Sequence, residues 1–250
     1  MIEEGECRSM KIDPEIRHQD LALHVSDQLD FISVSDVRAS IIIMNLIMYD
    51  GPLLLGLSYI LRLDFLWIVL PFILIIHLWG IRLVIKNPYS TQLEMILYIG
   101  VWGLLGAISL FITVLGVMYY TFHITSAFFH VIMILVTIIS AGILLKYQIN
   151  KYAGDPTKEI KKSNQSKYML LLSTAPGLGY LSYQTIKGTG VLESAILTAV
   201  IYLFAIFFVY VAAKFLHRYF FIRTNMKYVT YQPITTKEKK KIIKQGVEIK

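Results

Sequence analysis

Runs of about 20 consecutive apolar residues recur along this chain, and they leave few folds open. A helix rises about 1.5 Å per residue, so this length crosses a hydrocarbon core of ~30 Å with every backbone group bonded internally. Six segments approach it: residues 41–61, 65–85, 95–118, 122–145, 169–187 and 191–214. Only 16% of the residues are charged, against about 25% in average globular chains, and the charge gathers at the two ends. The pattern predicts an all-α integral membrane protein of about six transmembrane helices in three hairpins, and it excludes an ordinary soluble domain.

Charge divides the chain into five parts. Residues 1–40 carry nine acids against four bases, an acidic N-terminal segment without the basic start and early apolar run of a signal peptide. Irregularly spaced Leu21, Leu23, Val25, Leu29, Ile32 and Val34 within it support a short amphipathic helix. A four-helix region at 41–145 follows, then a basic connection at 146–168 with six lysines, a helical hairpin at 169–214 and a basic tail at 215–250. Placing the lysine-rich connection, Arg82, Lys86 and the tail on one side puts both termini in the cytoplasm. The outer turns are then very short, at 62–64, 119–121 and 188–190. The tail, which contains Lys237-Glu238-Lys239-Lys240-Lys241, suits anionic lipid headgroups at about 1 kcal/mol per base. No nucleic-acid recognition fold precedes it, so nucleic acid is not an expected partner. The single cysteine, Cys7, has neither a disulfide partner nor a nearby metal-ligand set.

An ionisable side chain at membrane depth is a functional candidate by default. Counted inward from the outer turns, Asp50, His77 and His130 lie about 16, 18 and 12 Å deep, near the midplane. They form a candidate intramembrane polar cluster, in which Asp50 could orient or protonate His77 if the first span flanks the second. Three readings compete. Each side chain is satisfied by a neighbouring hydroxyl or by a carbonyl freed where Asp50-Gly51-Pro52 breaks the first helix; Asp50 and His77 relay protons or cations; or His77 and His130 ligate a haem. No resident cofactor or metal is expected. His123, a full ~10.5 Å along the helix from His130, cannot share one metal ion with it.

Gly100, Gly103 and Ala107 fall on one face of the third span and make a candidate helix-packing seam, with Gly103 and Ala107 a small-xxx-small pair. Ser126, Ala127, Ser140, Ala141 and Gly142 on the fourth span could answer it. The same seam could serve a dimer.

Residues 168–190 contain Pro176-Gly177-Leu178-Gly179, then Gln184 and Lys187-Gly188 before a long apolar run. This text resembles a family of small bacterial membrane-hairpin proteins that carry a Pro-Gly-Leu-Gly turn and a later Lys-Gly, although the family's aromatic-Gly step is not found here. The resemblance covers 168–213. It implies a helix–turn–helix unit whose glycines allow close helix approach, and it implies no activity.

The sequence holds no Gly-x-x-x-x-Gly-Lys-Ser/Thr loop, no His-Glu-x-x-His and no Gly-x-Ser-x-Gly. An enzyme is not expected. The expectation is a non-catalytic, multi-pass protein of a bacterial cytoplasmic membrane, an accessory, immunity or regulatory component working through helix contacts with another membrane protein. The alternative is the membrane-spanning permease of an ABC-type exporter that borrows a separate ATPase subunit. That alternative requires a cytoplasmic docking helix at 86–94 or within 146–168.

Overall fold

A computed structural model of the chain describes residues 10–33, 36–60, 62–159 and 190–229. Every regular element among them is helical: α1 (Leu23–Leu29), α2 (Val37–Ile43), a π-helical turn (Met44–Tyr49), α3 (Asp50–Ile60), α4 (Leu63–Ile85), α5 (Gln92–Tyr120), α6 (Ala127–Tyr152) and α7 (Val191–Thr224). Helix α2, the π turn and α3 run on as one rod. Five helices are therefore long and apolar enough to cross a membrane: 37–60, 65–85, 92–120, 127–152 and 192–224. The expected span at 169–187, the turn residues Pro176, Gly177, Gly179, Lys187 and Gly188, and the lysine-rich end of the tail lie outside the described residues.

The Asp50-Gly51-Pro52 stretch does not break the first rod. Pro52 has no N–H to offer the carbonyl four residues back, and its ring crowds that carbonyl. The chain answers by widening just before it: the Asp50 amide bonds to the Asn45 carbonyl, five residues back, as a π turn requires. Between α4 and α5 the chain reverses through a 3-10 turn at Pro88–Ser90, with the Asn87 side chain accepting from the Tyr89 amide at 3.1 Å. Two other helices outrun their expected limits. Helix α6 continues through Lys146 to Tyr152, and α7 runs to Thr224 rather than ending at 214.

Helix α5 is the spine. Its apolar face supplies Met95, Tyr98, Trp102, Leu110, Val114 and Val117 to one core shared with α2, α3, α4 and α7. It runs antiparallel to α7, so that Gly100, Gly103 and Gly106 face Leu216, Ala212 and Phe208 in turn. Helix α6 lies on the rim and runs parallel to α7: the Thr137 and Tyr202 hydroxyls are 3.3 Å apart, and Tyr152 stacks on His217 at 5.2 Å. Away from that contact α6 is open, with Phe128, Leu135, Ile139 and Ile143 all exposed.

At the end where α7 finishes, the N-terminal segment folds back as a cap. A second apolar cluster joins Ile12, Leu21, Val25, Leu29 and Phe31 of the segment to Ile96, Phe221, Ile222 and Tyr228. Leu23, expected to share the buried face of α1, is instead 53% exposed. Polar contacts fix the register: the Asn225 side chain accepts from the Ile12 amide and donates to the Met10 carbonyl, both at 2.7 Å. The far edge is tied to the chain after α6, where the Ala22 amide donates to the Pro156 carbonyl and the Leu23 amide to Glu159 Oε1.

Candidate functional site

The π turn and the start of α3 set Asp50 on the side of the first rod that faces α4. From α4, His77 meets it: Nε2 lies 3.1 Å from Asp50 Oδ2. The other ring nitrogen, Nδ1, lies 2.9 Å from the carbonyl of Ile73, one turn earlier on the same helix. A carbonyl only accepts, so Nδ1 is the donor there and the proton on it is fixed. Both side chains are less than a third exposed, 28% for His77 and 20% for Asp50. The Tyr49 ring packs on His77 at 6.4 Å between centroids and on Phe208 of α7 at 6.2 Å.

Polar side chains continue from this pair toward the capped end. The buried Tyr98 hydroxyl lies 2.9 Å from Asn45 Oδ1 and 3.3 Å from the Ile76 carbonyl. Gly80 makes room for them: a Cβ there would stand 2.7 Å from Asn45 Nδ2 and 2.8 Å from the Tyr98 hydroxyl. Further along, Glu94 Oε1 takes Arg82 Nη1 at 3.0 Å and the Trp79 indole N–H at 3.1 Å. Glu94 lies in the first turn of α5, where a carboxylate also suits the helix dipole. A groove of about 230 Å³ opens between the first rod and α4, with His77 and Asn45 set among Ile41, Leu46, Ile81 and Ile85.

His130 stands apart from this group. It is on the exposed rim helix α6, where its Nδ1 pairs with the Ser126 carbonyl at 2.9 Å and its ring packs edge-on against Phe129. The expected three-residue cluster is therefore an Asp50–His77 pair plus a separate histidine, and the haem reading loses the opposed imidazoles it needs. Among the described residues no group of three or more His, Cys, Asp or Glu side chains is placed to hold a metal ion. His123 lies in the 121–126 connection with φ +55°, outside both helices.

The glycine seam is internal. Gly100 and Gly103 face α7, and the third close approach is made by Gly106, next to the expected Ala107, which is itself buried in the core. The small residues of α6 do not answer them; Gly142 has open space where a Cβ would stand.

Sequence reasoning missed the polar joint of the cap. Arg218 donates from Nε to the Gln28 carbonyl at 3.2 Å and from Nη2 to the Asp27 and Asp30 carbonyls, closing the C-terminus of α1. Beside it, Gln28 Nε2 lies 3.4 Å from His217 Nδ1. The sequence signal was the interruption of an aromatic helix end by His217, Arg218 and Asn225, whose partners lie about 200 positions away. Comparison with protein-family models, curated proteins and solved structures gives no match for this chain. What the described residues define is a class: an all-helical fold with five helices long and apolar enough to cross a membrane, and with ionisable pairs, Asp50–His77 and Arg82–Glu94, between neighbouring helices.

Proposed function

We propose that the chain is a non-catalytic, multi-pass membrane protein and serves as an accessory, immunity or regulatory component through helix–helix contacts. In this reading it has six spans in three hairpins, with both termini in the cytoplasm. Two features support the topology. Helices α6 and α7 are parallel neighbours, so Glu159 and Gly190 sit at opposite ends of the bundle, as a span between them requires. The capped end carries Arg82, Lys86, Lys146, Lys151, Arg218, Arg223 and Lys227, which the positive-inside rule assigns to the cytoplasm.

The observation that carries the function is the position of α6. It touches the bundle along one stripe, from Met133 and Thr137 to the buried Gln148, and leaves the rest of an apolar helix open. Meanwhile α2–α5 and α7 share one core with close backbone contact at its centre, which suits a rigid platform. The exporter alternative needs a docking helix at 86–94 or within 146–168; the first place holds a three-residue turn before α5 begins, and residues 160–168 of the second lie outside the described residues.

Purification of the tagged full chain in mild detergent, with mass spectrometry of its companions, tests the reading. The expected result is another membrane protein, or a second copy, in fixed stoichiometry, and its loss in the double variant Leu135→Trp, Ile139→Trp on the open face of α6. A stoichiometric soluble ATPase would make the chain an exporter permease instead.

A further inference from the structure

Packing alone gives Asp50 and His77 no reason to be where they are. Two apolar side chains of similar volume would fill the same space without taking charges out of water, and such replacements are commonly neutral or stabilising. Asp50 also follows directly on the π turn, a deformation that recurs at functional sites.

Its chemistry is narrow. Nδ1 of His77 keeps its proton on the Ile73 carbonyl, so only Nε2 and Asp50 Oδ2, 3.1 Å apart, can exchange one. With one proton between them, the pair is imidazolium and carboxylate or imidazole and carboxylic acid, and both forms are neutral overall. Without that proton the pair carries −1; with a second it carries +1. Leu46 and Ile81 line the groove beside it, and Phe208 lies behind Tyr49.

We propose that Asp50 and His77 form a single proton-binding site, holding one exchangeable proton between Oδ2 and Nε2 and reached through the groove between the first rod and α4. Among the described residues, the other titratable or charged groups near it are Tyr49, Tyr98, Arg82 and Glu94. Tyr49 from the π turn packs on the His77 ring, Tyr98 from α5 is bonded to Asn45, and Arg82 and Glu94 neutralise each other further along. Helix α7 contributes Phe208. The exchangeable proton in this proposal therefore belongs to the Asp50–His77 contact rather than to either residue alone.

The test uses the full chain in phosphatidylcholine nanodiscs, with ring-15N histidine and carboxyl-13C aspartate followed by NMR from about pH 2.5 to about pH 9, a range that brackets ordinary carboxylates and imidazoles. Loss of signals in Asp50→Asn and His77→Gln assigns the two residues. In the native chain the Asp50 carboxyl and His77 Nε2 signals should change together in one step of one proton, while His77 Nδ1 stays protonated throughout. In Asp50→Asn the imidazole has lost its counter-charge, and its step should move to lower pH. Two separate steps or none in the native chain, or a His77 step at the native midpoint in Asp50→Asn, would overturn the proposal. Should Asp50→Asn not fold, the co-titration in the native chain decides by itself.

Discussion

Gly103 of α5 lies against the backbone of Ala212 of α7, so close that a Cβ on the glycine would stand 2.6 Å from the Ala212 amide nitrogen and 2.9 Å from the Phe208 carbonyl. Backbone cannot swing aside as a long side chain can. Gly103→Ala should therefore push the two central helices apart and destabilise the bundle by about 1–3 kcal/mol, the usual cost of overpacking. Gly142→Ala on α6 meets open space and should be neutral or stabilising by up to ~1 kcal/mol through helix propensity. Thermal unfolding of both variants in one detergent checks the contrast; equal midpoints would mean that the seam tolerates separation.

The cap should come loose when Asn225 is shortened. Its amide satisfies the Ile12 N–H and the Met10 carbonyl and also donates to Phe221, all from a side chain in a residue only 3% exposed. Asn225→Ala leaves the Ile12 amide and the Met10 carbonyl without that partner, at about 1–3 kcal/mol for a buried unsatisfied group. Trypsin cleavage after Lys11 and Arg17 should speed up accordingly. Unchanged cleavage would show that the apolar contacts of Ile12 and Tyr228 hold the segment unaided.

Apolar run length made the long helices legible, because a period-free stretch of 20 or so residues has few other uses. Asp50 and His77 were legible as a candidate pair because depth could be counted from the turns and both came out near the middle. The π turn was not: Gly51-Pro52 reads as a break, and only the widened register at 44–49 shows how the proline is absorbed. His130 was misplaced because depth says nothing about azimuth, and α6 turns it toward the open side. The cap was the least legible part, since its polar joint depends on contacts between residues 10–30 and 217–228, which no local pattern encodes.

Acid should weaken the cap through His24. Its Nδ1 is buried with no hydrogen-bond partner, and its ring stacks on Tyr152 at 6.1 Å. Burial holds the imidazole below its usual value of 6.5; Lys151 adds to the shift, while Glu159 and Asp27 oppose it. A detached cap therefore binds the proton more readily than a docked one, so docking gains stability as pH rises. The contribution of His24 is fully present above about pH 6.5 and is lost as pH falls from there toward the lowered value of the docked form. Tryptic cleavage in the cap should be faster at about pH 5.5 than at about pH 7.5, once corrected for the activity of the protease on an unfolded substrate. In His24→Phe, which keeps the stacking ring, that pH dependence should shrink; an undiminished dependence would assign it to another group.

Arg218 should not be replaceable by lysine. Its guanidinium reaches the Asp27, Gln28 and Asp30 carbonyls together, which a single ammonium on a flexible stem cannot match in geometry. These are carbonyls at the end of α1 with no intrahelical donor, where a cation also meets the negative end of the helix dipole. Helix α1 has only seven residues, too short to persist without tertiary support. Arg218→Lys should thus release α1 first and leave the α5–α7 core intact. Amide exchange is the measurement that separates these: protection of residues 23–29 should fall by an amount equivalent to about 1–3 kcal/mol, the cost of leaving such carbonyls poorly paired, while protection around Gly103 stays unchanged. A uniform loss across both regions would mean that cap and core unfold as one unit. No loss in either would mean that the apolar side chains Val25 and Leu29 hold α1 without the arginine.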